Sequence, residues 1–383
     1  MSRNPLVELA SFGQSIWLDQ MRRSLLTTGE LRRLVEQDGL RGVTSNPTIF
    51  EKAIAGSADY ENEIRELAAR GASVDEIYEA LVIDDIVAAC DVLRPVYEQS
   101  AGRDGFVSLE VSPLLAHDTA ATIAEAKALF SRIDRPNVLI KVPATPEGLP
   151  AIEELIAAGI SVNVTLIFAV KVYEQVAEAY IRGLERRAAK GQQVERIASV
   201  ASFFVSRIDT AVDRELEKIS KQQPEAAALF GKAAIANAKL AYLSFKRIFE
   251  GTRFTALKTK GAQVQRPLWA STSTKNPRYS DTLYVDSLIG PDTVNTVPPQ
   301  TFDAFRDHGN PAATLERDVD EADKVFRGLE KLGINFEHVT DELTREGVEA
   351  FAESFRQLLQ AIEARRNQGI TASGYSSNAR KVG

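Results

Sequence analysis

The chain has 383 residues, 44% of them hydrophobic and 26% charged, which is enough for a large buried core. Its net charge of −7 disfavours nonspecific binding to nucleic acid, so an anionic ligand would need a local basic pocket. The single cysteine, Cys90, excludes an internal disulfide, and three scattered histidines without a thiol cluster or HExxH pattern predict no metal site.

The first two predicted strands carry polar residues in an apolar frame. SIWLD ends at Asp19, and GVTSNP contains Thr44 and Asn46. Polar groups in buried strands are costly unless they converge on a common partner or ligand. Two of these residues also have a structural alternative. Asp19 could cap the helix QMRRSLLTTGE, and Asn46 could simply begin an Asn-Pro turn.

Residues 51 to 100 contain two helical patterns, which we interpret as outer helices with solvated charged faces. The next strand, VSLEV, contains Glu110. A buried carboxylate must be paired or protonated, so an ion pair with Lys141 is the structural alternative to a catalytic role. A helix is predicted to begin near Asp118, a good N-cap residue.

Lys141 lies in the run VLIKVPAT, at the end of a predicted buried strand that leads into a turn with proline. Burial at that position would favour the neutral, nucleophilic amine over the ammonium form. An isolated lysine there would more often extend its charged end into solvent. Lys141 is not isolated, however, because the neighbouring strands also carry polar residues.

The following strands continue the same pattern. SVNVTLIF contains Asn163 and Thr165, and ASFFVSRI contains Ser202 with Arg207 shortly after it. The helix LPAIEELIAAG, which Gly159 should end, precedes SVNVTLIF, and a long periodic helix lies between SVNVTLIF and ASFFVSRI. Residues 208 to 250 also have helical spacing and are interpreted as outer helices.

The regular alternation of strands and amphipathic helices predicts a parallel sheet. Polar residues at the carboxyl ends of about eight βα units match a (β/α)8 TIM barrel with additional helices. A doubly wound open sheet is the alternative, but no Gly-rich turn follows an early strand. We expect one barrel domain over residues 1–366 with helical insertions, and a flexible C-terminal tail over residues 367–383, where the sequence is small and polar.

The motifs GVTSNPTIF, VSLEV, VLIKVPATPEGLPAIEEL, GISVNVTLIF and ASFFVSRID resemble successive strands of transaldolases, and PLWASTSTKNP and TVNTVP resemble the last two. The match covers roughly residues 10 to 365 in the family's order, and the segment DTLYVDSLIGPDTVNTVPPQT is similar to the longer bacterial branch. An ordered set of seven motifs is far more specific than one short pattern.

The resemblance implies a Schiff-base mechanism with no cofactor and no metal. Lys141 matches the lysine that attacks the substrate ketone, and Asp19 matches the carboxylate that exchanges a proton with the C4 hydroxyl. Glu110 matches the glutamate that works with an ordered water during formation of the imine. Thr165 matches the threonine that holds this water.

The resemblance also implies the substrate-binding residues. Asn46 and Asn163 match amides that hold the three-carbon dihydroxyacetone unit, and Thr44 is expected to line the site. Ser202 and Arg207 match the phosphate-binding pair. Lys275 would supply a further cation, although Arg266 or Lys258 could take this role because TSTKNP aligns only with a small insertion.

We therefore expect a transferase of the pentose phosphate pathway that acts on sugar phosphates. It would move dihydroxyacetone from sedoheptulose 7-phosphate to glyceraldehyde 3-phosphate, giving erythrose 4-phosphate and fructose 6-phosphate. Two alternatives are a fructose-6-phosphate-type class I aldolase on the same scaffold and a noncatalytic sugar-phosphate binder. Without a signal peptide or a long apolar segment, a cytoplasmic monomer or homodimer with no membrane partner is expected.

Overall fold

The computed structural model describes residues 4–378, with side chains described through residue 368. Eight parallel strands form a closed barrel in which each strand pairs with the next and the last pairs with the first. The predicted (β/α)8 barrel is therefore confirmed, and the open doubly wound sheet is wrong. The strands are β1 (Gln14–Asp19), β2 (Gly42–Thr44), β3 (Phe106–Glu110), β4 (Val138–Pro143), β5 (Val162–Ile167), β6 (Ser199–Phe204), β7 (Arg266–Ala270) and β8 (Thr293–Val297).

Helices surround the barrel and cross its ends. They are α1 (Pro5–Glu8), α2 (Arg23–Thr27), α3 (Glu30–Gln37), α4 (Pro47–Ala55), α5 (Glu61–Ala69), α6 (Val74–Gln99), α7 (Thr119–Ile133), α8 (Gly148–Ala158), α9 (Val170–Ala189), α10 (Ser206–Ile219), α11 (Ala233–Phe249), α12 (Thr252–Lys258), α13 (Leu283–Ser287), α14 (Pro299–His308), α15 (Val319–Lys331) and α16 (Phe336–Asn378). Short 3-10 turns cover Leu9–Phe12, Pro113–Leu115 and Pro224–Leu229.

Local sequence signals set the ends of two helices between the central strands. The Asp118 side chain accepts a hydrogen bond from the Ala121 backbone and caps α7. Gly159 adopts a left-handed conformation with φ 91° directly after α8, which few other residues tolerate. Both ends agree with the sequence predictions, so β3, β4 and β5 are spaced as βα units require.

The first helical pattern of residues 51 to 71 divides into two helices. α4 ends at Ala55 and α5 begins at Glu61, with Gly56 as the C-cap of α4. Gly56, Ser57 and Asp59 lie between the two helices and favour a turn, in which the Ser57 hydroxyl accepts a hydrogen bond from the Asp59 backbone. Two helices therefore stand where the sequence pattern predicts one.

The last helix extends beyond the predicted start of the tail. The backbone of residues 367–378 continues α16, whereas the small, polar sequence there predicts a tail without regular structure. Backbone hydrogen bonding can continue a helix past the point where its apolar face ends. Residues 379–383 of the predicted tail lie outside the described residues, and the flexibility of the tail and the single-domain boundary stay predictions.

The register of the barrel brings the polar strand residues together. Asp19 lies opposite Thr44 on β2, and Lys141 lies opposite Glu110 on one side and Asn163 on the other. Because all eight strands run in the same direction, their carboxyl ends meet at one mouth of the barrel. The polar residues that are far apart in sequence therefore share one site.

Within the described part of the chain, no helix is both long and apolar enough to cross a membrane.

Candidate active site

A cavity of about 620 Å³ opens at the carboxyl end of the barrel. This is the mouth at which barrel enzymes place their active sites. Most of the predicted site residues line it, namely Asp19, Thr44, Asn46, Lys141, Thr165, Ser202, Arg207 and Lys275. Glu110 and Asn163 do not line it but contact residues that do.

Lys141 is held at the base of this cavity and is only 5% exposed. Its Nζ donates a hydrogen bond of 2.9 Å to the Ser45 carbonyl oxygen and lies 3.3 Å from Glu110 Oε2. The ring of Phe351 is 5.9 Å from the amine. The amine is therefore held by the carbonyl that directly follows β2, by β3 and by α16, while it still faces the cavity.

Glu110 forms the ion pair that the structural alternative requires, but its environment also suits proton transfer. Burial raises the pKa of Glu110, the charge of Lys141 opposes this shift, and the charge of Asp19 adds to it. Within residues 4–368, Glu110 Oε2 accepts no hydrogen bond of good geometry. The ion pair and an acid-base role are therefore compatible in the same residue.

Asp19 lies at the end of β1 and faces the cavity. Thr44 donates a hydrogen bond of 2.6 Å to Asp19 Oδ1. Burial raises the pKa of Asp19, while this hydrogen bond and the charge of Lys141 act in the opposite direction. Arg22, not Asp19, is the N-cap residue of the next helix, so the capping alternative is wrong.

Asn46 combines both interpretations that the sequence left open. Its side-chain oxygen accepts a hydrogen bond of 2.9 Å from the Ile49 backbone and caps α4, and the residue also lines the cavity. The cap occupies the oxygen of the amide. Within residues 4–368 the amide nitrogen of Asn46 has no hydrogen-bond partner, so it is the group that can donate to a ligand.

Asn163 and Ser202 form a buried network beneath the cavity. Ser202 donates a hydrogen bond of 2.7 Å to Asn163 Oδ1, and Asn163 donates one of 3.1 Å to Ser108. Asn163 is fully buried. Asn163 does not line the cavity but contacts Ser202, which does, and the substrate contact that the resemblance implies stays a prediction.

Thr165 differs from these neighbours because its hydroxyl is buried without a protein partner within the described residues. It lines the cavity together with Lys141. A register shift follows it in β5, and Leu166 has a φ of 60°. Such bulges change the direction of side chains next to active sites.

One end of the cavity is basic. Arg207, Lys275 and Lys52 all line it, and Lys275 donates a hydrogen bond of 2.7 Å to Ser273. Burial, then the charges of Arg207 and Lys52, lower the pKa of Lys275. A group of cations whose charges lower the pKa of Lys275 forms a suitable site for a phosphate.

The two alternatives to Lys275 lie elsewhere. Arg266 is at the amino end of β7, where its guanidinium pairs with Asp104 at 2.9 Å and donates to Ser15. Lys258 is in the last turn of α12 and does not line the cavity. Neither cation can join Arg207 at the carboxyl mouth, so both alternatives are wrong.

Sequence reasoning missed several residues of the cavity wall. Thr296 lies in the strand TVNTV, where several polar residues occupy a buried strand, and this signal could have identified it. Lys52 looks like part of a solvated helix face, and Phe351 looks like an ordinary core residue of α16. For these two residues the sequence offers no local signal, since long-range packing brings them to the cavity.

Fold and site together define a class of protein: a parallel (β/α)8 barrel with a buried lysine and two carboxylates at its carboxyl mouth, an arrangement suited to carbonyl chemistry through an imine. The family model described as Transaldolase/Fructose-6-phosphate aldolase matches residues 16–362. The chain belongs to this family.

Curated relatives support the same assignment over nearly the full length. The chain is 52% identical to "Transaldolase" of Acidothermus cellulolyticus, with 96% of this chain and 99% of the relative covered. It is 48% identical to "Transaldolase" of Trichodesmium erythraeum, with 95% and 98% covered. It is 50% identical to "Transaldolase" of Thiobacillus denitrificans, with 93% and 98% covered.

Proposed function

We propose that this chain is a transaldolase that carries a dihydroxyacetone unit on Lys141 between sugar phosphates. The observation that carries the proposal is the position of Lys141, which is buried beside Glu110 and faces the same cavity as Asp19. The roughly 50% identity to proteins named Transaldolase gives independent support. The donor and acceptor are sedoheptulose 7-phosphate and glyceraldehyde 3-phosphate, and the products are erythrose 4-phosphate and fructose 6-phosphate.

Formation of the imine needs a neutral amine and an acid-base partner. Lys141 passes a proton to Glu110, and the amine then attacks the ketone carbon to give a carbinolamine. Loss of water from the carbinolamine requires a proton donor, and the raised pKa of Glu110 suits this role. The Thr165 hydroxyl holds the water that connects Glu110 to the reacting atoms.

Cleavage then breaks the C3–C4 bond of the sugar. Asp19 takes the proton from the C4 hydroxyl, C4 becomes the carbonyl carbon of the leaving aldose, and the electron pair of the broken bond moves into the protonated imine of Lys141. Addition to the acceptor reverses these steps. Asn46 and Asn163 hold the retained unit, Asn46 by donating from its amide nitrogen to the hydroxyls, and Asn163 also accepts a hydrogen bond from Ser202.

The phosphate of each substrate binds at the basic end of the cavity. Arg207 offers a planar guanidinium that can contact two phosphate oxygens, and Lys275 and Lys52 add point charges. Ser273 positions Lys275 through its hydroxyl. Lys52 is therefore a third cation of this site.

Borohydride trapping with fructose 6-phosphate tests the proposal, with a parallel sample that also contains erythrose 4-phosphate. We expect a dihydroxyacetone adduct on Lys141 in peptide maps, its loss when the acceptor is present, and no adduct in Lys141→Met. Release of free dihydroxyacetone without an acceptor would favour the aldolase alternative. Substrate binding with no modified lysine would favour the noncatalytic binder.

The proposal also covers the cellular location, the assembly state and the absence of nucleic-acid binding. A cytoplasmic location fits one free cysteine, Cys90, which is buried and unpaired among the described residues. The lack of nucleic-acid binding fits a chain with net charge −7. The proposed assembly state is a monomer or a homodimer. Light scattering of the purified protein would distinguish the two assembly states.

A further inference from the structure

Three side chains from three neighbouring strands form a hydrogen-bonded chain on the cavity wall. Thr44 Oγ1 on β2 donates to Asp19 Oδ1 on β1 over 2.6 Å, and Thr44 Oγ1 lies 2.7 Å from Thr296 Oγ1 on β8. Thr44 is 2% exposed and Thr296 is 3% exposed. β1 pairs directly with both β2 and β8, so the three residues lie side by side in the closed barrel.

The direction of each hydrogen bond follows from the number of protons available. A threonine hydroxyl has one proton to donate. The Asp19 carboxylate can only accept, so it takes the single Thr44 proton, and Thr296, whose hydroxyl contacts no other partner within residues 4–368, donates to Thr44. The Thr44 proton is then directed to Asp19, and the hydroxyl of Thr44 cannot turn away without losing both bonds.

With the hydrogen bonds in this direction, the two carboxylate oxygens of Asp19 differ in their hydrogen-bond partners. Oδ1 accepts the hydrogen bond from Thr44, whereas Oδ2 accepts none within the described residues, and Asp19 lines the cavity. An O–H that itself accepts a hydrogen bond is a stronger donor, because hydrogen bonds in a chain polarise one another. Thr296 therefore strengthens the bond from Thr44 to Asp19 without touching the carboxylate.

We propose that Thr296 is a positioning residue that orients Thr44 toward Asp19 Oδ1 and reserves Oδ2 for the proton of the sugar C4 hydroxyl. This inference rests on the proposed function. During cleavage the C4 hydroxyl proton moves to Oδ2, the C4–O bond becomes the aldehyde carbonyl, and the C3–C4 electron pair moves into the imine. Oδ1 keeps its hydrogen bond throughout, so Thr44 need not rearrange.

Other charged groups also face Asp19 and act on its ionisation. Lys141 on β4 favours the carboxylate form, and Glu110 on β3 interacts unfavourably with it. Other cations line the same cavity, namely Arg22, Lys52, Arg207 and Lys275. A variant of Thr296 changes none of these charges. A shift in its pH profile therefore measures the effect of the hydrogen bonds that join Thr296, Thr44 and Asp19.

The test compares Thr296→Val, which keeps the shape of the side chain, with Thr296→Ser, which keeps its hydroxyl. For Thr296→Val we expect kcat/KM for transfer from fructose 6-phosphate to erythrose 4-phosphate to fall about 3- to 10-fold. The acidic limb of its pH profile should move upward by a few tenths of a pH unit, because Asp19 loses part of its stabilising hydrogen bond. Thr296→Ser should restore both quantities to near the wild-type values.

A matched control is Thr293→Val on the same strand. Thr293 is fully buried at the other end of β8, where it contacts Gln14 and the Gly290 carbonyl, so its loss affects stability without reaching Asp19. Its pH profile should match that of the wild type. If Thr293→Val and Thr296→Val shift the acidic limb equally, or if Thr296→Ser behaves like Thr296→Val, the positioning role is refuted.

Imine trapping with dihydroxyacetone separates this inference from the proposed function. Dihydroxyacetone forms the imine without cleavage of a carbon–carbon bond, so Thr296→Val should be trapped on Lys141 at the wild-type rate. Normal trapping with an unchanged pH profile would overturn the role of Thr296 alone. The absence of trapping in the wild type would instead overturn the proposed function.

Discussion

At the scale of single residues, the site joins structural and chemical roles in the same side chains. Asn46 caps a helix and lines the cavity, and Glu110 neutralises Lys141 while it keeps an oxygen without a good hydrogen bond. A group that already has a packing role is held in one rotamer at little further entropic cost. Such residues are thus preorganised for catalysis before substrate binds.

The third cation of the basic end gives a test at this scale. Lys52→Gln should raise the KM for erythrose 4-phosphate by about tenfold, because one charge contact to the phosphate is lost, and leave the KM for unphosphorylated glyceraldehyde unchanged when the phosphorylated donor is saturating. Steady-state kinetics with both acceptors measure the difference. The matched control is Lys258→Gln on α12, which lies away from the cavity. Equal effects on both acceptors would show that Lys52 does not bind phosphate.

At the scale of secondary-structure elements, α16 covers the mouth of the barrel. Thr48 on α4 and Ser354 on α16 share a hydrogen bond of 2.8 Å, and Arg365 donates to the carbonyls of Ala55 and Ser57. Phe351 of the same helix lines the cavity near Lys141. α16 is thus anchored to α4 and to the segment that follows α4. It closes the apolar side of the site.

Replacing Phe351 tests this cover. Phe351→Ala should lower the free energy of unfolding by about 3 kcal/mol and kcat/KM by about tenfold, because it removes a buried ring and admits water beside the imine. Phe351→Leu keeps most of the apolar volume and should retain most of both quantities. Urea denaturation and transfer kinetics measure the two effects. A normal kcat/KM in Phe351→Ala would mean that α16 has only a structural role.

A pair of buried carboxylates joins α10 to α11 and the segment around α13. Asp209 accepts hydrogen bonds from the Ala234 backbone and from the Tyr284 hydroxyl, and Asp213 accepts from the Gly231 backbone and from Tyr279. Burial raises the pKa of Asp209 to about 6 despite these hydrogen bonds. The protonated form of Asp209 is therefore favoured by folding.

The sign of the resulting pH dependence follows from this shift. The ordinary aspartate pKa of 3.8 describes the unfolded chain, so the native state binds more protons than the unfolded state between pH 4 and 6. The stabilisation is complete below about pH 4 and is lost as the pH rises through about 6, a change on the order of 3 kcal/mol. Asp209→Asn cannot titrate and should therefore gain stability relative to the wild type between pH 5 and pH 8.

Urea denaturation at both pH values measures this difference. The exposed Asp323→Asn on α15 serves as the control and should differ from the wild type by the same amount at pH 5 and pH 8. If the difference between Asp209→Asn and the wild type does not change with pH, the buried carboxylate does not titrate in this range.

At the scale of the whole molecule, the two ends of the barrel have separate roles. The carboxyl mouth holds the cavity, and the amino end holds a buried ion pair between Arg266 and Asp104. Ser15 and Trp17 also donate to Asp104, so the carboxylate is well satisfied. Removing one partner of such a buried pair is strongly destabilising, because the other partner is left as an uncompensated buried charge.

Arg266→Met should lower the free energy of unfolding by about 3–5 kcal/mol, because Asp104 is left as an unpaired buried charge. The folded fraction should retain the wild-type KM for sugar phosphates, since Arg266 lies at the end of the barrel opposite the phosphate site. Adding Asp104→Asn should recover part of the lost stability. A raised KM without loss of stability would instead assign Arg266 to substrate binding.

The fold and much of the candidate site could be predicted from sequence because both depend on local patterns. Alternating strands and amphipathic helices indicated the barrel, and polar residues such as Asp19, Glu110 and Lys141 stood out within apolar strands. The break between α4 and α5 and the extension of α16 were not predicted. Helix boundaries depend on packing and backbone hydrogen bonds that a composition pattern does not specify.

The sequence by itself determined which residues belong to the strands and which of them are polar, because side-chain period and burial preference are local properties. Only the tertiary structure decided that Lys275, and not Arg266, joins Arg207, that Lys52 and Phe351 reach the cavity, and that Thr296 contacts Thr44. These contacts join residues far apart in the chain. They arise from barrel closure and the packing of α16, which no single segment of the sequence encodes.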